Sequence, residues 1–242
     1  MNFQEGEILC FDKPYRWTSF DVVGRIRRLL CRKMGVKKLK VGHAGTLDPL
    51  ATGVLIVCTG RATKQIESLQ AGTKEYVATL RLGATTPSFD LEQEIDQYYP
   101  YEHITRSKVE AALQDFLGEQ EQVPPVFSAK IINGLRAYEY ARAGEPVELR
   151  KSLITIFELE LLDFTDHNIV GDDGYVVDDV VRNIRNYHIS HTSDGERPAA
   201  TIRIKCSKGT YIRSLARDLG LALNSGAYLT SLRRTASGPF KL

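Results

Sequence analysis

The stretch Val41-Gly42-His43-Ala44-Gly45-Thr46-Leu47-Asp48-Pro49-Leu50-Ala51-Thr52-Gly53-Val54-Leu55 organises the rest of the chain around it. It places one carboxylate, Asp48, in a loop of glycine, threonine and proline that cannot pack a core but can present a reactive group on a rigid frame. Pro49 fixes its own φ and restricts Asp48 to extended conformations, so the carboxylate is stiffly held. An isolated Asp-Pro is more often a turn aspartate bonded to local amides. Here the apolar, β-branched run Val54 to Val57 follows directly and reads as a buried strand.

Upstream lies a basic segment. Between Val22 and Leu47 stand Arg25, Arg27, Arg28, Arg32, Lys33, Lys37, Lys38 and Lys40, with no carboxylate. A helix is expected from near Phe20, capped by Thr18 or Ser19 and ended by Gly35. Its apolar stripe comprises Phe20, Val23, Ile26 or Arg27, and Leu30, widened by Val22 and Leu29, with Arg25, Arg28 and Arg32 opposite. Such density of charge is a footprint for a polyanion, although a solvated helix face would look the same in isolation.

Further out, Ile8 to Phe11 reads as a short strand ended by Asp12-Lys13-Pro14. Tyr76 to Leu82 and Ala200 to Cys206 alternate as half-buried strands do. Leu153 to Leu162 forms another strand. Helices are expected from Thr105, with Val109, Ala112, Leu113 and Phe116 inward, from Arg136 to Arg142, and from Tyr211 to Leu223. Phe89 to Tyr101 is acidic and irregular, and residues 165–198 read as a loop or insertion. Strands and helices without strict alternation predict an α+β fold with a mixed central β-sheet flanked by helices and loops.

Composition bounds the function. The 242 residues are 43% hydrophobic and 26% charged, as in a globular protein. No apolar run approaches a membrane span, and Met1 to Gly6 lacks the features of a secretion signal. Cys10, Cys31, Cys58 and Cys206 are widely separated, which fits reduced cytoplasmic thiols better than a disulfide or zinc framework. His188 and His191 have no further ligand nearby in sequence, so no metal is expected.

The run Gly42 to Leu55 resembles the signature of TruB-type tRNA pseudouridine synthases. Collinear matches are Asp12-Lys13-Pro14 with Thr18-Ser19-Phe20-Asp21, Thr63-Lys64, Lys74-Glu75-Tyr76 with Leu82-Gly83, and Pro124-Pro125-Val126-Phe127-Ser128-Ala129. Tyr138 to Arg142, Gly209-Thr210-Tyr211-Ile212-Arg213 and Leu232-Arg233-Arg234 complete the set, which reaches from near residue 8 to near 240.

The resemblance implies a pseudouridine synthase fold in a single catalytic domain over residues 1–242, with no C-terminal PUA domain. It implies an isomerase that detaches the uracil at position 55 in the T loop of tRNA, rotates it and rejoins it through C5. No cofactor and no obligatory protein partner are implied. Asp48 would be the nucleophile, attacking either the ribose anomeric carbon or the base. Arg213 would pair with it, since a partly buried carboxylate takes up a proton unless a cation holds it charged. Tyr76 would be catalytic as well as substrate-binding, stacking on the flipped uracil and assisting proton transfer at C5. Tyr211 and Leu232 would line the uridine pocket, and His43 would lie near the target nucleotide. Lys64, with Arg28, Arg32, Lys37, Lys38 and Lys40, would contact RNA phosphates. Two departures from the family pattern stand out. Lys130 is displaced by one residue from the usual lysine position, and Arg16 replaces a turn glycine. A non-catalytic tRNA-binding or folding protein is the main alternative. An aspartyl-phosphate enzyme fits less well, because it would want Mg²⁺ and further carboxylates.

Overall fold

A computed structural model describes residues 2–128, 130–132, 134–166 and 197–242. The expected insertion at 165–198 lies almost wholly outside the described residues, as do His188 and His191.

The architecture is α+β, built on a mixed nine-stranded sheet. Its strands are β1 (Ile8–Lys13), β2 (Val41–His43), β3 (Ala51–Thr59), β4 (Lys74–Leu82), β7 (Gly118–Gln122), β10 (Ser152–Thr165), β11 (Ala199–Cys206), β12 (Ala227–Ser237) and β13 (Phe240–Lys241). The order is β1-β3-β12-β4-β11-β10-β7, with β2 beside β3 and β13 beside β12. Two small two-stranded pairs, β5 (Ala84–Thr85) with β6 (Gln97–Tyr98) and β8 (Ile131–Ile132) with β9 (Leu135–Arg136), lie outside it. Among the described pairings only β3 with β12 is parallel, with Leu232 opposite Ala51 and Arg234 opposite Gly53. At that point the two backbones nearly touch. A Cβ on Gly53, whose φ is 101°, would lie 2.1 Å from the Arg234 carbonyl oxygen, so only glycine fits.

From Val54 to Cys58 β3 is apolar because both of its faces are covered. Leu55 and Val57 pack against Val22 and Ile26 of α1 (Ser19–Met34). Val54, Ile56 and Cys58 pack on the other side against Ala62 of a 3₁₀ turn (Gly60–Gln65) and the partly buried Ile66 and Leu69 of α2 (Ile66–Ala71). β4 alternates strictly, with Tyr76, Ala78, Leu80 and Leu82 turned into the main core. There they meet Val109 and Leu113 of α3 (Arg106–Gln114) and Leu215, Ala216 and Leu219 of α5 (Ile212–Ala222). Among the described residues one further helix, α4 (Ala137–Ala143), stops at Gly144 in the left-handed region.

α1 starts as its sequence predicts. Thr18 caps it reciprocally with Asp21, and Gly35 ends it at φ 66°. The expected apolar stripe needs correction. Val22, Val23 and Ile26 are buried, but Phe20 and Leu29 are exposed. Helical spacing admits both residues to one wide stripe. The sheet covers only the part of the stripe where Val22 and Ile26 meet Leu55 and Val57, with Leu30 partly buried beside them.

Candidate active site

Asp48 lies between β2 and β3, in a loop fastened from three directions. From α1, the Ser19 hydroxyl accepts from the Leu47 N–H at 2.9 Å and donates to the Leu47 carbonyl at 3.2 Å. From β1, the buried Lys13 ammonium donates to the carbonyls of Pro14 (3.0 Å), Trp17 (2.5 Å) and Pro49 (3.2 Å). From β12, the Arg234 guanidinium, 1% exposed, donates to the carbonyls of Val54 (2.7 Å), Gly45 (3.1 Å) and Thr46 (3.4 Å). Two buried cations thus satisfy the carbonyls of an irregular loop that has no strand partner to do so.

Arg213 sits in the first turn of α5, where the helix dipole disfavours a cation. Two carboxylates offset that cost. Its Nε lies 2.9 Å from Asp48 Oδ2 and 3.6 Å from Asp90 Oδ2, and its Nη1 donates to the Ser88 carbonyl at 3.2 Å. Side-chain exposure separates the two acids: Asp90 is 8% exposed and Asp48 is 38% exposed. Asp90 is held by the Ser88 hydroxyl (2.6 Å) and the Glu92 N–H (2.9 Å), so it anchors Arg213 from behind while Asp48 faces outward. Asp48, Asp90, Arg213 and Leu232 line one cleft, walled otherwise by residues such as Leu50, Leu91 and Leu229. An apolar cleft with one outward carboxylate and its cation suits a flat, neutral heterocycle.

Tyr76 faces Arg234 across the β4–β12 ladder. Burial raises its pKa, opposed by the Arg234 charge and slightly aided by Asp48. Burial likewise raises the pKa of Tyr211, with Asp48 again adding to the rise. Both phenols therefore lie within electrostatic reach of the carboxylate. Tyr211 caps α5 and exchanges two hydrogen bonds with the buried Gln122 amide, Tyr211 N–H to Oε1 at 2.8 Å and Nε2 to the Tyr211 carbonyl at 3.1 Å. His43 stands on β2 on the other flank of the loop, its imidazole edge-to-face with Phe20 at 5.1 Å. Burial, reinforced by the Arg234 charge, lowers its pKa.

Lys64 is exposed on the 3₁₀ turn and does not line the cleft. Arg28, Lys37, Lys38 and Lys40 border a separate basic groove with Gly24, Arg27 and Leu39, while Arg32 is exposed outside its lining. Lys130 fastens the β8–β9 hairpin region to β10, donating to the Arg150 carbonyl (2.8 Å) and the Ser152 hydroxyl (3.1 Å). Among the described residues no group of three or more His, Cys, Asp or Glu could hold a metal ion.

Sequence reasoning missed Asp90 because it fell in a segment read as acidic and irregular. Its signal was local: Thr86, Ser88 and Asp90 at alternate positions, short polar residues that bond their own backbone. Lys13 and Arg234 lay within quoted motifs, but their burial was invisible.

The chain is similar to known proteins of one family. The family model for TruB family pseudouridylate synthase (N-terminal domain) matches residues 31–173, and that for the tRNA pseudouridylate synthase B C-terminal domain matches 213–242. The chain is 57% identical, over its full length and 90% of the relative, to the tRNA pseudouridine synthase B of Phocaeicola vulgatus. It is 46% identical to that of Flavobacterium johnsoniae over 98% of this chain and 91% of the relative. Among solved structures it resembles a chain of a Cbf5-Nop10-Gar1 complex at 29% identity and TM-score 0.63, covering 99% of this chain and 50% of that one. It also resembles a chain of an H/ACA RNP bound to a substrate RNA containing 2′-deoxyuridine, at 27% identity and TM-score 0.61, covering 99% and 49%. The chain thus spans about half the length of those two solved chains.

Proposed function

This chain belongs to the TruB family of pseudouridylate synthases, isomerases that act on RNA, and from that premise we propose that it converts uridine 55 in the T loop of tRNA to pseudouridine, with Asp48 as nucleophile. The observation that carries the reading is the Arg213–Asp48 pair at 2.9 Å, on the wall of a cleft lined also by Leu50 and Leu232. The reaction breaks the bond from C1′ to N1 and forms one from C1′ to C5. C5 gives up its proton and N1 gains one, so no electrons enter or leave.

Asp48 performs its part by attack on the anomeric carbon or on the base. In both routes it must be aimed at a base that has left its stack, and the stapled loop aims it. Arg213 pairs with the carboxylate at 2.9 Å and so fixes its direction toward the cleft. Tyr76, kept neutral by burial, acts through its ring, which stacks on the uracil and recovers part of the unstacking cost. Leu232 and Tyr211 complete the uridine pocket, and His43 meets the strand beside the target. Single-stranded loops are where RNA bases can be splayed out for such a pocket, which favours a T loop over a helix. Lys64 and the basic groove bind phosphates, as does Arg32.

The test is conversion of a T-arm stem-loop, read by proton release from C5 and by nucleoside composition. Wild-type protein is expected to convert it with EDTA present, because an isomerisation needs no redox partner. Asp48→Ala and Asp48→Asn should bind RNA and release nothing. Turnover surviving in Asp48→Ala refutes the nucleophile assignment.

A further inference from the structure

The aromatic residues on the segment that fastens the Asp48 loop are left over by this mechanism. Tyr15, Trp17 and Phe20 fall within six residues and are 40%, 36% and 66% exposed. Exposed apolar side chains scattered singly need no explanation. These three sit together on the turn and first helical residues that fasten the Asp48 loop. The Arg16 N–H donates to the Pro49 carbonyl at 2.9 Å, and Lys13 ties that same carbonyl to those of Pro14 and Trp17. The aromatic lip and the residue after Asp48 therefore share their anchors and keep a fixed relation.

Two further observations give the lip a ligand. Arg16 holds φ 64°, a left-handed conformation that is strained for a side-chain-bearing residue and free for glycine. Its guanidinium stands 5.6 Å from the Tyr15 ring centroid, at the surface. A strained arginine beside the Asp48 loop is a cation placed at an energetic cost. From Phe20 the same helix face continues through Gly24 and Arg28 at spacings of four, and both border the basic groove with Lys37, Lys38 and Lys40. At the other end of that face the Phe20 ring meets His43, the last residue of β2 before the Asp48 loop, so Phe20 stands at the loop while its own helix borders the groove.

We propose that this lip is a second RNA subsite, in which Phe20, flanked by Tyr15 and Trp17, stacks an unpaired base adjacent to the target uridine while Arg16 takes a phosphate. The proposal rests on the RNA substrate given above. Extruding one base from a loop exposes the faces of its neighbours, and an aromatic ring on the enzyme covers one of them.

Binding and single-turnover conversion of a T-arm stem-loop decide the matter, using Phe20→Ala, Phe20→Leu, Phe20→Trp, and RNAs made abasic at each nucleotide flanking the target. Phe20→Ala should weaken binding about 5- to 100-fold, the range of one base–aromatic stack. The loss should fall on Kd and KM more than on the saturated rate. Phe20→Trp should restore affinity and Phe20→Leu should not. With one particular flanking base removed, Phe20→Ala should cost nothing further. The loss should also persist in a His43→Ala background. Wild-type affinity in Phe20→Ala overturns the subsite, as does rescue by leucine or an equal loss on every abasic RNA. A Phe20 effect confined to binding of a protein, with RNA binding untouched, also overturns it. The underlying reading stands or falls separately, on whether wild-type protein forms pseudouridine and Asp48→Ala does not.

Discussion

Replacing Arg234 by Met tests whether a buried cation, remote from substrate, sets the geometry of the reacting carboxylate. Arg234 is almost fully buried and makes three donations to carbonyls of residues 45, 46 and 54, of which those at 2.7 and 3.1 Å are well formed and that at 3.4 Å is long. Methionine fills much of the same volume and donates nothing. Each charged hydrogen bond contributes about 1.5–3 kcal/mol net, so the two good bonds amount to roughly 3–6 kcal/mol. That is a large part of an ordinary domain's 5–15 kcal/mol or so. Taken at about 2–4 °C per kcal/mol for a chain of this size, the expected fall in Tm is roughly 6–24 °C. Because the lost bonds hold the loop that carries Asp48, the rate should fall more than stability alone explains. A displacement of about 1 Å costs on the order of 100-fold. Thermal denaturation and single-turnover conversion, measured at a temperature where the variant is fully folded, separate the two effects. Arg234→Lys should recover part of the stability but not the rate, since one compact ammonium cannot reproduce the planar fork whose Nε and Nη2 reach the Val54 and Gly45 carbonyls separately. If Arg234→Met melts within a degree or two of wild type, or turns over at the wild-type rate when folded, the stapling argument is wrong.

Other consequences follow from the same geometry. Arg213→Ala removes the cation shared by Asp48 and Asp90, and breaking a buried pair costs about 3–5 kcal/mol. The single-turnover rate should drop about 100- to 1000-fold while RNA affinity changes only a few-fold, and the opposite split would count against the pairing. Asp90→Asn keeps the Arg213–Asp48 contact but loosens its rear anchor, so a smaller loss of about tenfold is expected in the same assay. Burial pushes the Lys13 ammonium down to about 8, against the opposing pull of Asp48. Between pH 8 and 10.5 the unfolded chain therefore binds more protons at this site than the folded one, and stability from this group rises with pH by up to about 3 kcal/mol across that window. Denaturant titrations of wild type and Lys13→Met at pH 7.5 and 10.5 should show that difference in slope, and parallel curves would refute it. Neutralising Lys37, Lys38 and Lys40 should reduce the salt dependence of RNA binding by about 2–3 in log–log slope, and an unchanged slope would remove the groove from the RNA path.

Legibility in the sequence followed the range of the interaction. The α1 boundaries were readable because capping by Thr18 and Asp21 and termination at Gly35 are local. The same helix misled over Phe20 and Leu29, because periodicity marks a face without telling how wide a surface covers it. β4 and β11 were readable from alternation alone, since each buries one face against α3 and α5. β3 extended back into the signature run as far as Ala51, which glycine and threonine had disguised as loop.

The sequence by itself determined the chemistry-bearing inventory: a proline-stiffened Asp48, a tyrosine on an alternating strand, an arginine opening a helix and a dense basic segment. Those are properties of residues and their neighbours in the chain. Only the tertiary structure decided which charges meet. The parallel contact of β12 with β3 carries Arg234 under the loop. α5 swings Arg213 between Asp48 and Asp90, residues 123 or more positions away in sequence. Lys13 turns inward to carbonyls rather than outward to RNA. Burial of a charge is paid for by partners that are distant in the chain, so no local pattern announces it.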